Sequence, residues 1–345
     1  MGLRDEILEQ PAAARRLLDV ADTSYAPLAD ELRERRPRFA VIAARGSSDN
    51  AALYAQYLFA IRNQLITTLA TPSTLTLYGA RPRMADALVI GISQSGRSPD
   101  IIAVLGEARE QGAVTVAITN APDSPLAAAA AQVIDLRAGP ELATAATKTY
   151  TAQLLAMVLL SHALDAATTE EQQQVARVPA LLEGALEVEE QARAIAERHA
   201  ARQRAVVLGR GYGYATAREW ALKLQELAQV SAVPFSTADF EHGPLALAEP
   251  GLPVMVVAPS GVSLDAQLAL IRRLQLEHGA RVLALSDAPS ARLLDEGLAV
   301  PPNVPDWLSP LVEIVPAQLY TYYLTVARGL DPESPRTIKK VTKTR

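Results

Sequence analysis

One pattern runs through this chain twice. The stretch FAVIAARGSSDNAALYAQYL (39–58) is echoed by RAVVLGRGYGYATAREWALKL (204–224), which puts Gly46 and Gly211 165 positions apart. LVIGISQSGRSPD (88–100) is echoed by PVMVVAPSGVSLD (253–265), so Ser95-Gly96 and Ser260-Gly261 differ by the same 165. A further echo, GAVTVAITNA (112–121) against GARVLALSDA (279–288), is offset by 167. Matches held at nearly one spacing mean a duplicated domain.

Within each copy, apolar β-branched runs alternate with helical stretches. Val41-Ile42 and Leu88–Ile92 read as fully buried strands, and 49–62 and 99–111 as helices. Strand–helix–strand order predicts α/β domains, each a parallel sheet with helices on both faces. The division expected is a helical lead-in over 1–36, a first domain over 37–165, a helical connector over 166–202, a second domain over 203–330 and an extended tail over 331–345.

Composition excludes several function classes. With 345 residues, 49% of them hydrophobic, there is ample material for two cores. Net charge is −5 and the basic residues cluster only in the tail, so no nucleic-acid partner is expected. No cysteine is present, which removes disulfides, cysteine-ligated zinc and cysteine nucleophiles. His162, His199, His242 and His278 lack metal-ligand spacing, so no metal is expected. The start of the chain does not read as a secretory signal, and LLAMVLL (154–160) is too short to span a bilayer. A cytoplasmic protein with no membrane partner is the expectation.

In parallel sheets of this type ligands sit at the carboxyl ends of the strands, and both polar turns of the first copy fall there. A glycine-containing turn that opens a helix presents free N–H groups and a helix dipole to an anion. Ser93, Gln94, Ser95 and Ser98 add neutral donors around Gly96, and Gly46, Ser47 and Ser48 supply the same chemistry one strand over. Helix capping is the alternative for Ser98, which is followed by Pro99, but it leaves Ser93, Gln94 and Ser95 unexplained. The second copy has Ala258 and Pro259 where the first has Ser93 and Gln94, and Tyr212 and Gly213 where it has Ser47 and Ser48. One phosphate site, in the first copy, is therefore expected. No nucleotide-binding glycine fingerprint is present.

Two segments offer acid–base groups. Glu219, Lys223 and Glu226 share one face of a helix. Spacing alone fits a solvated ion pair; the flanking Leu222, Leu224 and Leu227, and the position just after a glycine turn, point to proton transfer. His242, followed by Gly243-Pro244, sits in a tight turn expected to fix its ring, and is structural unless the rest of the site joins it.

With GSS, SQSG, ELATAATK, ALKLQE, EHGPLAL and a C-terminal PR…K in place, the chain resembles the sugar isomerase (SIS) domain family over about residues 30–345. It looks most like the isomerase half of glucosamine-6-phosphate synthase and its stand-alone deaminase relatives. The resemblance implies two tandem three-layer αβα, flavodoxin-like domains, a homodimer, no cofactor, and a hexose 6-phosphate or amino-sugar phosphate substrate. It implies phosphate contacts at Ser48, Ser93, Gln94, Ser95 and Ser98. Glu226 becomes the carboxylate that shuttles a proton between C1 and C2, supported by Lys223. His242, often lent by a partner subunit, assists ring opening, and Lys340 is the tail lysine reaching the site. Glu141, Thr144 and Ala146 fall on a loop lining the sugar pocket.

There are departures from the synthase pattern. Its glutaminase half has no counterpart in these residues, so glutamine hydrolysis by that route is not expected. Ala146 stands where synthases usually carry a serine, and Arg97 where they usually carry an acid; the SGRSP loop and KVT tail look more like the deaminase branch. The implied reaction is glucosamine 6-phosphate plus water giving fructose 6-phosphate and ammonia. Another sugar-phosphate isomerase or deglycase, an ammonia-using synthase and a non-catalytic sugar-phosphate sensor are the alternatives.

Overall fold

The computed structural model describes residues 2–287, 296–338 and 340, and by contacts it divides into two units that do not follow sequence order. Of the described residues, one comprises Ala12–Glu141, Lys148–Ala176 and Lys340; the other comprises Gly2–Pro11, Leu142–Thr147 and those between Arg177 and Ile338. Val341 and Thr342 of the KVT tail lie outside the described residues.

The unit that begins at Ala12 is built on β1 (Phe39–Ala43), β2 (Thr67–Leu69), β3 (Ala87–Ile92), β4 (Val114–Thr119) and β5 (Gln132–Asp135), ordered β2-β1-β3-β4-β5. Every pairing is parallel; β1 and β3 run in register from Phe39 opposite Ala87 to Ala43 opposite Gly91. β3 and β4 are buried at every position because helices cover both faces, which is why they read as unbroken apolar runs rather than alternating ones. Val41, Ala43 and Val89 pack with Ile101, Val104 and Leu105 of the helix Pro99–Glu110 on one face. Helices Ser47–Arg62 and Ala21–Arg35 each pack against Lys148–Leu164 on the other side. The LLAMVLL stretch lies in Lys148–Leu164, buried nearly all round. Among the described residues no helix is long and apolar enough to cross a membrane.

The other unit repeats the plan with β6 (Arg204–Gly209), β7 (Ser231–Ser236), β8 (Pro253–Val257), β9 (Arg281–Ser286) and β10 (Glu296–Ala299), ordered β10-β9-β8-β6-β7 and again parallel throughout. Helix Leu264–His278 covers one face through Leu268, Ile271 and Leu274. Helices Tyr212–Glu226 and Glu189–Arg198 each pack against Ser309–Ala327. The duplicated parallel α/β architecture expected from the repeats is what forms.

The segment expected as a connector, 166–202, is helical at Thr169–Ala176, Val178–Leu186 and Glu189–Arg198. The last two bury Leu181, Leu182, Ala192 and Ile195 and pack against Ser309–Ala327, as part of that unit's own core.

Candidate functional site

The polar turns leave neighbouring strands. Because β1 and β3 pair in parallel, the loops after Ala43 and Ile92 emerge side by side at the carboxyl edge of one sheet. An ion pair between Arg45 and the buried Asp100 (2.8 Å) ties the first loop to the helix that follows the second. Gly46 caps the helix Ser47–Arg62 with φ +58°, a conformation that favours glycine. Ser47 and Ser48 occupy the first turn of that helix, where N–H groups lack intrahelical partners.

The SQSG loop is held by its backbone. The Gln94 carbonyl accepts from Asn120 N–H (3.2 Å) and from the Thr119 hydroxyl (3.3 Å), and the Gly96 carbonyl accepts from Leu126 N–H (3.0 Å). Gly96 has φ +62°, and a Cβ there would lie 1.9 Å from Ser124 Oγ, so any side chain would have to displace Ser124. With the backbone fixed from behind, Gln94, Ser95 and Ser98 stay half-buried and Ser93 is buried. Ser93 Oγ accepts from Gly96 N–H (3.2 Å) and lies 3.4 Å from Ser98 Oγ.

Ser98 sits at the N-cap of Pro99–Glu110 but makes no side-chain capping bond. Capping accounts for the position, not for the hydroxyl, which faces Ser93. The edge thus gathers hydroxyls and an amide at two helix N-termini, a polar, neutral setting for a phosphoryl group.

Glu141 and Lys340 meet in the same unit, with Lys340 Nζ 3.0 Å from Glu141 Oε2. Thr149 donates to Glu141 through its N–H (3.1 Å) and its hydroxyl (2.7 Å), so Glu141 caps the helix Lys148–Leu164. Thr144 and Ala146 are half-buried in the other unit's Leu142–Thr147 segment, whose first N–H groups, on Leu142 and Ala143, donate to Glu6.

In that other unit the face of Tyr212–Glu226 is not solvated. Glu219 and Lys223 are fully buried, and the Glu226 side chain is 24% exposed. Lys223 Nζ lies 3.5 Å from Glu219 and donates to Glu226. A lysine between two carboxylates offsets the cost of burying Glu219 and orients Glu226 at the rim. The apolar neighbours Trp220, Ala221 and Leu224 enforce the burial that spacing alone could not reveal.

His242 closes the short helix Thr237–Glu241 and is exposed. Its N–H donates to the Asp239 carbonyl (3.1 Å), and Gly243 has φ +132°. The turn fixes the backbone but not the ring, contrary to expectation, since the described residues provide no hydrogen bond to the imidazole.

The second copy's turn carries different chemistry. Ser260 N–H donates to the Asp287 carboxylate (2.7 Å), so an internal anion takes a donor at the position repeating Ser95. Asp306 packs against Gly261, and the fully buried Glu313 is pushed up to about 8, first by burial and then by Asp306 and Asp287. With Asp287 holding the Ser260 N–H and Asp306 beside Gly261, this turn disfavours phosphate. Sequence reasoning missed Asp287, Asp306 and Glu313; the signal for the first was Asp287 standing where the first copy has Asn120. Among the described residues no cluster of three or more acidic or histidine side chains is arranged to hold a metal.

A family model for the SIS domain matches residues 32–163 and 199–328. The glutamine–fructose-6-phosphate aminotransferase of Methanothermobacter thermautotrophicus is 36% identical over 338 residues, covering 97% of this chain and 56% of that protein. The chain therefore spans little more than half of such relatives. The C-terminal domain of the Francisella tularensis glucosamine-fructose-6-phosphate aminotransferase superposes with a TM-score of 0.88 at 25% identity, covering 96% of this chain and 98% of that one. A Silicibacter pomeroyi DSS-3 protein assigned as a phosphosugar isomerase gives 0.87 at 33% identity, over 96% of this chain and all of that one. With both repeats matched and relatives aligned along nearly its whole length, the chain belongs to the SIS domain family.

Proposed function

We propose that this protein is a phosphosugar isomerase acting on an amino-sugar phosphate, with glucosamine 6-phosphate plus water giving fructose 6-phosphate and ammonia as its reaction. The observation that carries the reading is the serine loop, in which Ser98 caps a helix without using its hydroxyl and faces Ser93 beside a rigid glycine turn. Ser48, Ser93, Gln94, Ser95 and Ser98 would take the phosphate, with Gly46 and Ser47 supplying the neighbouring helix N-terminus. Binding energy from this remote group would hold C1 and C2 for reaction.

In the proposed chemistry, His242 assists opening of the sugar ring; its exposure fits service in the site of a partner subunit, within a homodimer. Glu226 removes the C2 proton of the open-chain sugar while O1 takes a proton from the C2 ammonium, giving a C1–C2 enolamine, and Glu226 returns its proton to C1. This leaves a C2 iminium, which water hydrolyses to the ketone and ammonia. Lys223 holds Glu226 in place, and Lys340 serves from the tail. Without the nitrogen, the same proton transfer interconverts aldose and ketose phosphates, and run in reverse it consumes ammonia.

Incubation with glucosamine 6-phosphate, with ammonium and fructose 6-phosphate measured, tests the reading. Glu226→Gln should abolish turnover and spare binding. Turnover confined to another sugar phosphate would identify a related isomerase, and tight binding without turnover of any would identify a sensor.

A further inference from the structure

Glu141 falls on the stretch that resembles a sugar-pocket loop, yet its carboxylate is committed elsewhere. The side chain is fully shielded from solvent. One oxygen accepts from the Thr149 N–H, and the other accepts from the Thr149 hydroxyl and lies 3.0 Å from Lys340 Nζ. A carboxylate has about four acceptor positions, so little capacity remains for a sugar hydroxyl. The helix N-terminus at Lys148–Leu164 and the Thr149 hydroxyl keep the anion in one place. Lys340, 199 residues further along the chain, meets that anion.

We propose that Glu141 is a positioning residue. It carries the tail lysine on a buried, helix-capping carboxylate and so fixes where Lys340 stands, rather than touching substrate. This rests on the reading of Lys340 as a site residue under the proposed function, but the contact itself can be tested without substrate.

The test compares the full-length protein with Glu141→Gln, Lys340→Met and the double variant, after thermal melts establish that each is folded. Without ligand, trypsin cleavage after Lys340, read by intact mass, should accelerate about tenfold in Glu141→Gln, because proteolysis follows the released population. Unchanged cleavage in folded Glu141→Gln overturns the proposal. Should that variant not fold, Thr149→Val, which loosens the carboxylate without removing it, must move cleavage the same way.

With substrate, Glu141→Gln should lower kcat and leave KM near wild type, and the double variant should be no worse than Lys340→Met. Losses that multiply, together with a raised KM, would show that Glu141 contacts the sugar and would overturn the proposal. If the wild-type protein turns over no sugar phosphate, the proposed function falls while the cleavage comparison still decides whether Glu141 holds Lys340.

Discussion

Arg45 reaches across the carboxyl edge of its sheet to the buried Asp100 at 2.8 Å, joining the loop after β1 to the helix after β3. The arginine is half exposed and the aspartate is not, so the pair is asymmetric: losing the cation strands a buried anion. Arg45→Ala should cost about 1–2 kcal/mol, discounted for the solvent around the guanidinium. Urea denaturation reads the stability. The KM for the sugar phosphate should rise more than kcat falls, because the two loops lose their common tie.

The glycine turn gives a sharper contrast. At Gly96 a Cβ would collide with Ser124 Oγ, whereas at Gly46 nothing lies within 4 Å, although both have positive φ. Gly46, at φ +58° and ψ −131°, lies outside the left-handed helical region, so Gly46→Ala should cost about 1–3 kcal/mol from backbone strain alone. Gly96→Ala adds overpacking and should cost about 2–4 kcal/mol in all. Equal losses in denaturant midpoint would show that Ser124 moves aside freely.

Ser98→Ala separates capping from ligand binding. A capping serine costs about 1 kcal/mol when truncated; because this hydroxyl makes no capping bond, the loss should stay within about 0.5 kcal/mol. Inhibition by inorganic phosphate should weaken by up to about tenfold, the worth of one hydrogen bond. A full capping loss with unchanged phosphate affinity would return Ser98 to a structural role.

Glu313 predicts a pH effect of definite sign. Its carboxyl is raised from 4.5 to about 8 by burial, so between those values the folded chain holds a proton that the unfolded chain has released. Stability from this group is therefore intact below pH 4.5 and declines as pH rises toward 8. Glu313→Gln removes the penalty, so the melting temperature of the variant relative to wild type should climb between pH 5 and pH 8.5. A constant difference across that range would mean that Glu313 titrates normally.

The repeat spacing and the unbroken apolar strands determined the architecture, because a parallel sheet covered on both faces leaves that signature locally. The same local logic located the serine turns, since a turn between a buried strand and a helix must sit at a sheet edge. What spacing could not decide was environment. Glu219, Lys223 and Glu226 have the same i, i+4 and i+7 pattern whether solvated or buried, and only the packing around Trp220 and Leu224 buries Glu219 and Lys223. His242 is the converse case: its glycine–proline turn forms, but whether a ring is held depends on neighbours distant in sequence. Asp287 meeting Ser260, Arg45 meeting Asp100 and Lys340 meeting Glu141 likewise join residues far apart in the chain. Such long-range pairing arises from how strands and helices converge, a property of the folded sheet that no local run of residues records.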